Sequence, residues 1–368
     1  MEFDGIKNKF GFGCMRLKMV DEKVDYAEFA KMIDLFMDNG FTYFDTARVY
    51  LGGQSETALR DCLVKRYPRS SFTLTDKLSD SCWSEEKDIR PLFESQLESL
   101  GTDYLDFYLF HAMSAPRYEK YQREHAFEVV QQLKKEGKIK HIGMSFHDQP
   151  EVLDKILSEQ PCIEVVQIQF NYLDIDNPHV RSMGCYDVCV KHHKPVIVME
   201  PIKGGTLVNL PDEALDVLKE CGKGSPASYA LRYVGSHDQI FMILSGMGTR
   251  EQMLDNISTM KDFVPFGEKE FTAVKKVNEI LTKAHTIPCT SCHYCTPGCP
   301  MQIPIPEIFA IRNNETLFHV WSPKKDYEML TMDKSKASAC IACGQCEGIC
   351  PQQLEIISLL KEIAEKYE

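Results

Sequence analysis

Short apolar runs alternate with amphipathic stretches along most of this chain. FGFGCM (10–15) opens the series, and Tyr26, Phe29, Ile33, Phe36 and Met37 then recur at helical spacing until Asp38-Asn39-Gly40 supplies a stop. The runs FTYFDTA (41–47), FTLTDKL (72–78), YLDFYLFHA (104–112), IGMSF (142–146), VVQIQFN (165–171), VIVMEP (196–201) and IFMILSGM (240–247) repeat the alternation, each followed by a helical pattern. Helices are expected over 55–67, 85–100, 124–136 and 249–263. Eight strands alternating with eight helices over roughly 255 residues fit an α/β fold of the (β/α)8 TIM-barrel type, whose usual length is about 250 residues. A doubly wound open sheet is the alternative. It usually brings a GxGxxG turn after its first strand, and FGFGCMR is not one.

Chemistry in such a barrel gathers at the C-terminal ends of the strands. Asp45 ends the second run with Tyr50 just beyond it, Lys77 ends the third, and His111 ends the fourth. Adjacent strands would bring these four into one pocket. A tyrosine, with a pKa near about 10, yields its proton reluctantly at neutral pH, but a neighbouring ammonium favours the phenolate. Asp45 would keep Lys77 charged and aimed, while His111 would orient a carbonyl oxygen or relay a proton. Singly, each residue reads as well as a satisfied core side chain; the joint pattern carries the argument.

Over residues 10 to 265 the chain resembles the aldo/keto reductase superfamily. FGFGCMRL is similar to its first barrel strand, FDTARVYLGGQSE to its second-strand motif, LTDKL to its lysine strand and LFHA to its histidine strand. The resemblance implies catalytic Asp45, Tyr50, Lys77 and His111, with Tyr50 as general acid and NADP(H) or NAD(H) as hydride source. It further implies Ser145 and Gln167 at the nicotinamide carboxamide. At the adenosine phosphate it implies Gly246, Thr249, Gln252 and Asn256, with Arg250 as contact to a 2'-phosphate. IKGG (202–205) is a candidate approach to the pyrophosphate. Two positions depart from the family: Phe146 stands where Asn is usual, and Met199 where an aromatic ring often stacks on the nicotinamide.

Cysteine usage adds a second domain. Of 15 cysteines, seven are scattered through the first 288 residues and eight crowd the last 80. The chain divides on this reading into a barrel (1–265), a linker helix (266–288) with Phe271, Val274, Val277 and Leu281 on one face, and a ferredoxin-like domain (289–368). CTSCHYCTPGCP (289–300) and CIACGQCEGICP (340–351) are two copies of CxxCxxCxxxCP, which resembles the bacterial two-cluster ferredoxin run. The fourth cysteine of each run serves the other cluster in that pattern. One [4Fe-4S] cluster then takes Cys289, Cys292, Cys295 and Cys350, and the other takes Cys340, Cys343, Cys346 and Cys299. Structural zinc is the competing reading, but zinc sites rarely need eight cysteines in two runs each ending in Cys-Pro. The segment between the runs, with IPIPEIFAIRNN, is expected to hold a helix and an insertion packing on the barrel. Cys185 and Cys189 read as apolar filler, His192 and His193 as solvent-facing, and the tail KEIAEKYE as a solvated helix end.

The formal net charge is -12 and no basic run interrupts it, which argues against nucleic acid and anionic membrane as partners. MEFDGIKNKFGFGC carries charges where a secretory signal needs an apolar run, and no stretch offers about 18 uninterrupted apolar residues, so a cytoplasmic, reducing compartment is expected. The function expected is an oxidoreductase acting on a small carbonyl or alcohol, coupled to a two-cluster electron carrier and open to a redox protein partner. Hydride moves two electrons and a cluster one, so cluster-driven or flavin-assisted reduction without nicotinamide stays open. From a different class, a non-catalytic redox-sensing or electron-transfer partner is the further alternative. The substrate loops are expected at 79–84 and 113–123, where Trp83, Tyr118 and Tyr121 stand, and in the iron-sulfur extension itself.

Overall fold

The computed structural model describes residues 3, 6, 8–175, 177, 180–222, 224–318 and 322–368. Two compact units are present, Met1–Pro201 with Ala230–Phe266, and Ile202–Tyr229 with Gly267–Glu368. This differs from the sequence division at 265 and 288: the 202–229 segment and the expected linker helix both belong to the second unit.

In the first unit eight parallel strands close a barrel: β1 (Phe10–Gly13), β2 (Tyr43–Asp45), β3 (Thr73–Leu78), β4 (Leu105–Met113), β5 (Ile139–Phe146), β6 (Val165–Gln169), β7 (Val196–Met199) and β8 (Ile240–Ser245), in the order β1-β8-β7-β6-β5-β4-β3-β2. The eight apolar runs are these strands, because a parallel strand covered on both faces reads as a continuous buried stretch; all six residues of β3 are buried. Tyr43, Phe107, Leu109, Val165, Ile197, Met242 and Leu244 form one buried cluster with Phe3, whose ring packs 5.1 Å from Phe107 and 4.7 Å from Phe241. A Cβ at Gly143 would lie 2.6 Å from the side chains of Leu109 and Val165, so β5 gives up a side chain there to the filled interior.

Helix α1 (Tyr26–Asp38) buries Phe29, Met32, Ile33 and Phe36, with Asp25 accepting from the Glu28 N–H at its start. The expected helix 55–67 is α2 (Gln54–Leu59), which widens over Arg60–Val64 to an i→i+5 turn closed by Lys65 N–H to Arg60 O at 3.0 Å. α3 (Glu86–Leu100) follows β3. α4 (Ala115–Arg123) occupies a segment expected as loop, since only Tyr118 and Tyr121 mark its buried face, and α5 (Ala126–Lys135) follows it. α6 (Pro150–Glu159) and α7 (Ser182–Lys191) cover β5 and β6 in chain order. Cys185 and Cys189 are buried, as apolar filler would be. His192 is not solvent-facing: its Nε2 lies 2.5 Å from Asp154, while His193 is exposed.

In the second unit α8 (Asp212–Cys221) precedes α9 (Pro226–Gly235), which leads back into the barrel chain and, after β8, to α10 (Arg250–Lys261). α11 (Glu268–Lys283) buries Ala273, Val274, Val277 and Leu281; Phe271, expected on that face, is exposed. The inter-motif segment holds two helices, α12 (Ile305–Phe318) and α13 (Pro323–Leu330). α14 (Gln345–Ile349) and α15 (Ile356–Tyr367) complete the unit. Its core joins Ile303, Ile305, Phe309, Leu360 and Ile363 to Cys295 and Cys346. The tail is anchored rather than solvated: Tyr367 donates to Glu315 at 2.7 Å, and Glu368 accepts from Tyr327 at 2.6 Å. Among the described residues no helix is long and apolar enough to cross a membrane.

Candidate active site and cluster-ligand cysteines

Strand register explains why Asp45, Lys77 and His111 meet. Asp45 pairs with Thr75 across β2 and β3, and Lys77 with Leu109 across β3 and β4, so each successive site residue lies two positions beyond its neighbour's partner and keeps the same face. Lys77 is fully buried; its ammonium donates to Asp45 Oδ1 at 2.6 Å, to the Thr46 carbonyl at 2.7 Å and to the Tyr50 hydroxyl at 3.1 Å. Tyr50 reaches it from the tight turn Tyr50–Gly53, in which Leu51, Gly52 and Gly53 all take positive φ. The His111 ring stands edge-on to Tyr50, 6.0 Å between centroids.

His111 is aimed by a defect in its strand. Ala112 takes φ 52 and the β4–β5 register slips between Phe110 and Met113, a bulge held by the Ser145 hydroxyl accepting from the Ala112 N–H at 2.7 Å. The Ser79 hydroxyl lies 2.6 Å from His111 Nδ1. Burial, then the Lys77 charge, hold the His111 pKa well below the usual imidazole range, so the ring is neutral at neutral pH. Burial also raises the Asp45 carboxyl, against the pull of Lys77 and a 3.4 Å hydrogen bond from Gln167. Cys14 lies close enough to feel Asp45, and burial pushes its thiol well up.

Behind the lysine strand is a second buried charge group. Glu56 of α2 and Asp76 of β3 are both fully buried and hydrogen-bond each other. Arg48 pairs with Glu56 at 3.1 Å, and Asp76 Oδ1 accepts the Lys77 backbone N–H at 2.7 Å. The second Asp76 oxygen has no N–H donor, a shortage that a proton held on Asp76 and shared with Glu56 relieves. Burial and the Glu56 charge accordingly raise the Asp76 pKa well above the usual carboxylate range. These acids, Ser79 and the Ala112 bulge escaped the sequence reading; the only local sign was an acid beside Lys77 in an otherwise apolar strand.

The residues assigned to a dinucleotide fall into two groups. Ser145 and Gln167 are register partners on β5 and β6, both buried, with Gln167 reaching Asp45. Gly246, Thr249, Arg250, Gln252 and Asn256 follow β8. Thr249 caps α10, Gln252 accepts from the Gly248 N–H at 2.8 Å, Asn256 donates to Ser245 at 3.1 Å, and Arg250 pairs with Glu28 at 2.8 Å. A loop entering a twelve-residue helix from glycine suits an anion, so the side chains present fit the two ends of a nicotinamide dinucleotide. IKGG, the expected approach to the pyrophosphate, has one glycine engaged in packing. Gly204 has φ 62, and a Cβ there would lie 2.2 Å from the Thr290 carbonyl oxygen, so this glycine packs on the backbone next to Cys289. Trp83, Tyr118 and Tyr121, expected at the substrate loops, are buried braces: Tyr121 donates to the Leu78 carbonyl at 2.5 Å and Tyr118 to Glu159 at 2.7 Å.

The eight cysteines separate into two sets of four. A partly open cavity is lined by Cys299, Cys340, Cys343 and Cys346, with Ile303 and Leu360. The Cys295 thiol is pushed up to about 12 by burial and then by Cys292, Cys289 and Cys350, which groups the other four. Among the described residues no three His, Cys, Asp or Glu side chains converge on a single-ion position. Thiols arranged around an apolar-walled cavity fit a bulkier iron–sulfur group better than one tetrahedral ion, whose sulfurs would sit about 2.3 Å from the metal.

Comparison with known proteins agrees with this geometry. The Aldo/keto reductase family model matches residues 9–279, and a 4Fe-4S dicluster domain model matches 288–355. The chain is 26% identical over 233 residues to a glyoxal reductase of Bacillus subtilis, covering 62% of this chain and 75% of that protein. It is 23% identical over 285 residues to an NADH-specific methylglyoxal reductase of Escherichia coli, covering 66% and 85%. Among solved structures, aldo-keto reductase AKR11C1 from Bacillus halodurans superposes with a TM-score of 0.61 at 24% identity, covering 73% of this chain and 91% of that one. An aldo-keto reductase from Klebsiella pneumoniae in complex with NADPH does so with a TM-score of 0.61 at 18% identity, covering 76% and 96%. The chain is thus an oxidoreductase that belongs to the aldo/keto reductase family and carries a 4Fe-4S dicluster domain after its barrel.

Proposed function

We propose that the barrel reduces the carbonyl group of a small molecule, or oxidises the corresponding alcohol, with Tyr50 moving the proton at the substrate oxygen. The observation that carries this reading is the buried Lys77 ammonium, 3.1 Å from the Tyr50 hydroxyl and 2.6 Å from Asp45. A cation beside a phenol favours its ionised form, which makes Tyr50 a readier acid than an isolated tyrosine. Asp45 and the Thr46 carbonyl hold that cation in one orientation. His111 stays neutral, so with Ser79 donating to Nδ1 its Nε2–H donates a hydrogen bond to the substrate oxygen without competing for the Tyr50 proton. Gln167 and Ser145 would hold a nicotinamide, and Gly246, Thr249, Gln252 and Asn256 the adenosine phosphate end, with Arg250 leaving Glu28 for a 2'-phosphate. Solved neighbours bound to NADPH or NADP support nicotinamide over flavin, and relatives named glyoxal and methylglyoxal reductases support a small carbonyl substrate. Cys289, Cys292, Cys295 and Cys350 would hold one [4Fe-4S] cluster, and Cys340, Cys343, Cys346 and Cys299 the other. When bound, a nicotinamide supplies hydride and the clusters exchange single electrons.

The test is Tyr50→Phe in the cluster-loaded protein. Carbonyl turnover should fall by about a hundredfold or more, while NADPH affinity stays at the parent value. Turnover near the parent rate would refute the proton-transfer role.

A further inference from the structure

Beside His111 stands a cation that the chemistry above does not use. Arg117 lies in the first turn of α4, a turn that carries no acid. A positive side chain there opposes the helix dipole, which favours anions at that end. Its partners come from other elements: Nη1 donates to the Ala112 carbonyl at 2.8 Å, and Nε lies 3.2 Å from Asp80 Oδ1. Ala112 follows His111 and Asp80 follows Ser79, and the Ser79 hydroxyl is 2.6 Å from His111 Nδ1. The guanidinium is thus tied to the residue after each member of that pair, and His111 feels its charge.

These two contacts fix the guanidinium and leave Nη2 over. Among the described residues Nη2 makes no hydrogen bond, and the side chain is 27% exposed. Lys120, one turn further along α4, donates to the Asp80 and Trp83 carbonyls at 2.7 and 2.9 Å, which fixes the loop that carries Asp80. His147, just after β5, is the second unused group. Its backbone N–H donates to the Met113 carbonyl at 2.9 Å and so seats it at the end of β4. Its ring makes no hydrogen bond among the described residues. Burial and then the Arg117 charge push its pKa down to about 4, so the ring is neutral and has one N–H to donate.

A guanidinium edge and an imidazole, both unused and both next to the group that meets the substrate oxygen, suit a small anion. We propose that Arg117 and His147 bind a carboxylate attached to the substrate's carbonyl carbon, so that the barrel takes short 2-oxo acids. This rests on the carbonyl-reductase reading of the barrel. Asp80 offsets part of the Arg117 charge, but the substrate carboxylate meets Nη2, a donor that Asp80 does not occupy. Reduction of glyoxylate then gives glycolate: the aldehyde carbon gains the hydride that NADPH loses, and the oxygen gains the Tyr50 proton, which water replaces.

Glyoxylate and methylglyoxal present the same aldehyde, one beside a carboxylate and the other beside a neutral acetyl group. The ratio of their kcat/KM values, measured with NADPH on anaerobic, cluster-loaded protein, isolates the carboxylate. Arg117→Met should lower the glyoxylate-to-methylglyoxal ratio by about thirtyfold and His147→Phe by about fivefold, with Arg117→Lys recovering part of the loss. An arginine that only braced the loops would slow both substrates and leave the ratio where it was. Oxamate, an anion of the same shape that cannot be reduced in this way, reads the site without turnover. By titration calorimetry its affinity should fall by about tenfold or more in Arg117→Met and should weaken with salt in the parent. If the parent reduces methylglyoxal and the ratio is unmoved in both Arg117→Met and His147→Phe, the anion site is overturned while the carbonyl reading stands. Oxamate bound by the parent and lost in Arg117→Met, with neither carbonyl reduced, supports the anion site and overturns that reading. Neither carbonyl reduced and no oxamate bound overturns both.

Discussion

Asp76 stands one residue before the catalytic lysine candidate, wholly buried, with its carboxyl hydrogen-bonded to Glu56. Burial and the Glu56 charge keep its proton on well above the usual carboxylate range. In the unfolded chain that proton leaves near pH 4. Between about pH 4 and the raised folded value the native protein therefore binds one proton more than the unfolded chain, and stability falls by about 1.4 kcal/mol for each pH unit gained. Asp76→Asn removes this term: the amide oxygen still accepts from the Lys77 N–H and the amide nitrogen donates to Glu56 as the acid proton does. Upward from about pH 5, for as long as the native protein keeps this proton, the variant should gain on the parent by about 1.4 kcal/mol per pH unit, or about 3 °C per unit in apparent unfolding temperature at about 2 °C per kcal/mol. Thermal unfolding of the cluster-loaded protein under anaerobic conditions, repeated across that range, measures the gap between the two. A gap that does not change with pH, or a parent that outlasts the variant at the alkaline end, would refute the shared proton. Retained turnover in the variant would show that Asp76 passes no proton to substrate.

Two other outcomes follow from buried contacts. Lys77→Met strands the Asp45 carboxylate and should cost about 3–5 kcal/mol; adding Asp45→Asn should recover most of it, and strictly additive losses in unfolding temperature would argue against a coupled pair. Gly204→Ala drives a methyl into the Thr290 carbonyl at a left-handed backbone position, with an expected cost of about 1–3 kcal/mol and loss of part of the iron. Full iron and sulfide content with an unshifted unfolding temperature would contradict the packing assigned to Gly204.

Much of this protein was legible in its sequence because the relevant physics is local. Parallel strands are buried on both faces, so FTLTDKL and its counterparts announce themselves as apolar runs, and strand ends point to Asp45, Lys77 and His111. Cluster ligands need fixed spacing along the chain, and CxxCxxCxxxCP records that spacing directly. Helix α4 was missed because its buried face shows only two tyrosines among charged residues. The tail looked solvated because Glu368 and Lys366 are hydrophilic, although Glu368 pairs with Tyr327 and Lys366 with Glu315.

What only the tertiary structure decided are pairings between distant positions. Closing the barrel brings Arg16 to Glu200 across 184 residues of chain, and Glu56 of one helix to Asp76 of the next strand. Neither acid, read alone, reveals whether it keeps its proton. The bulge at Ala112 depends on Ser145 from a neighbouring strand, and the glycine at 204 on a carbonyl beside Cys289. Residue type and spacing determined which groups this protein can use. Burial and proximity, properties of the closed barrel and the packed second unit, decided their charge states and partners.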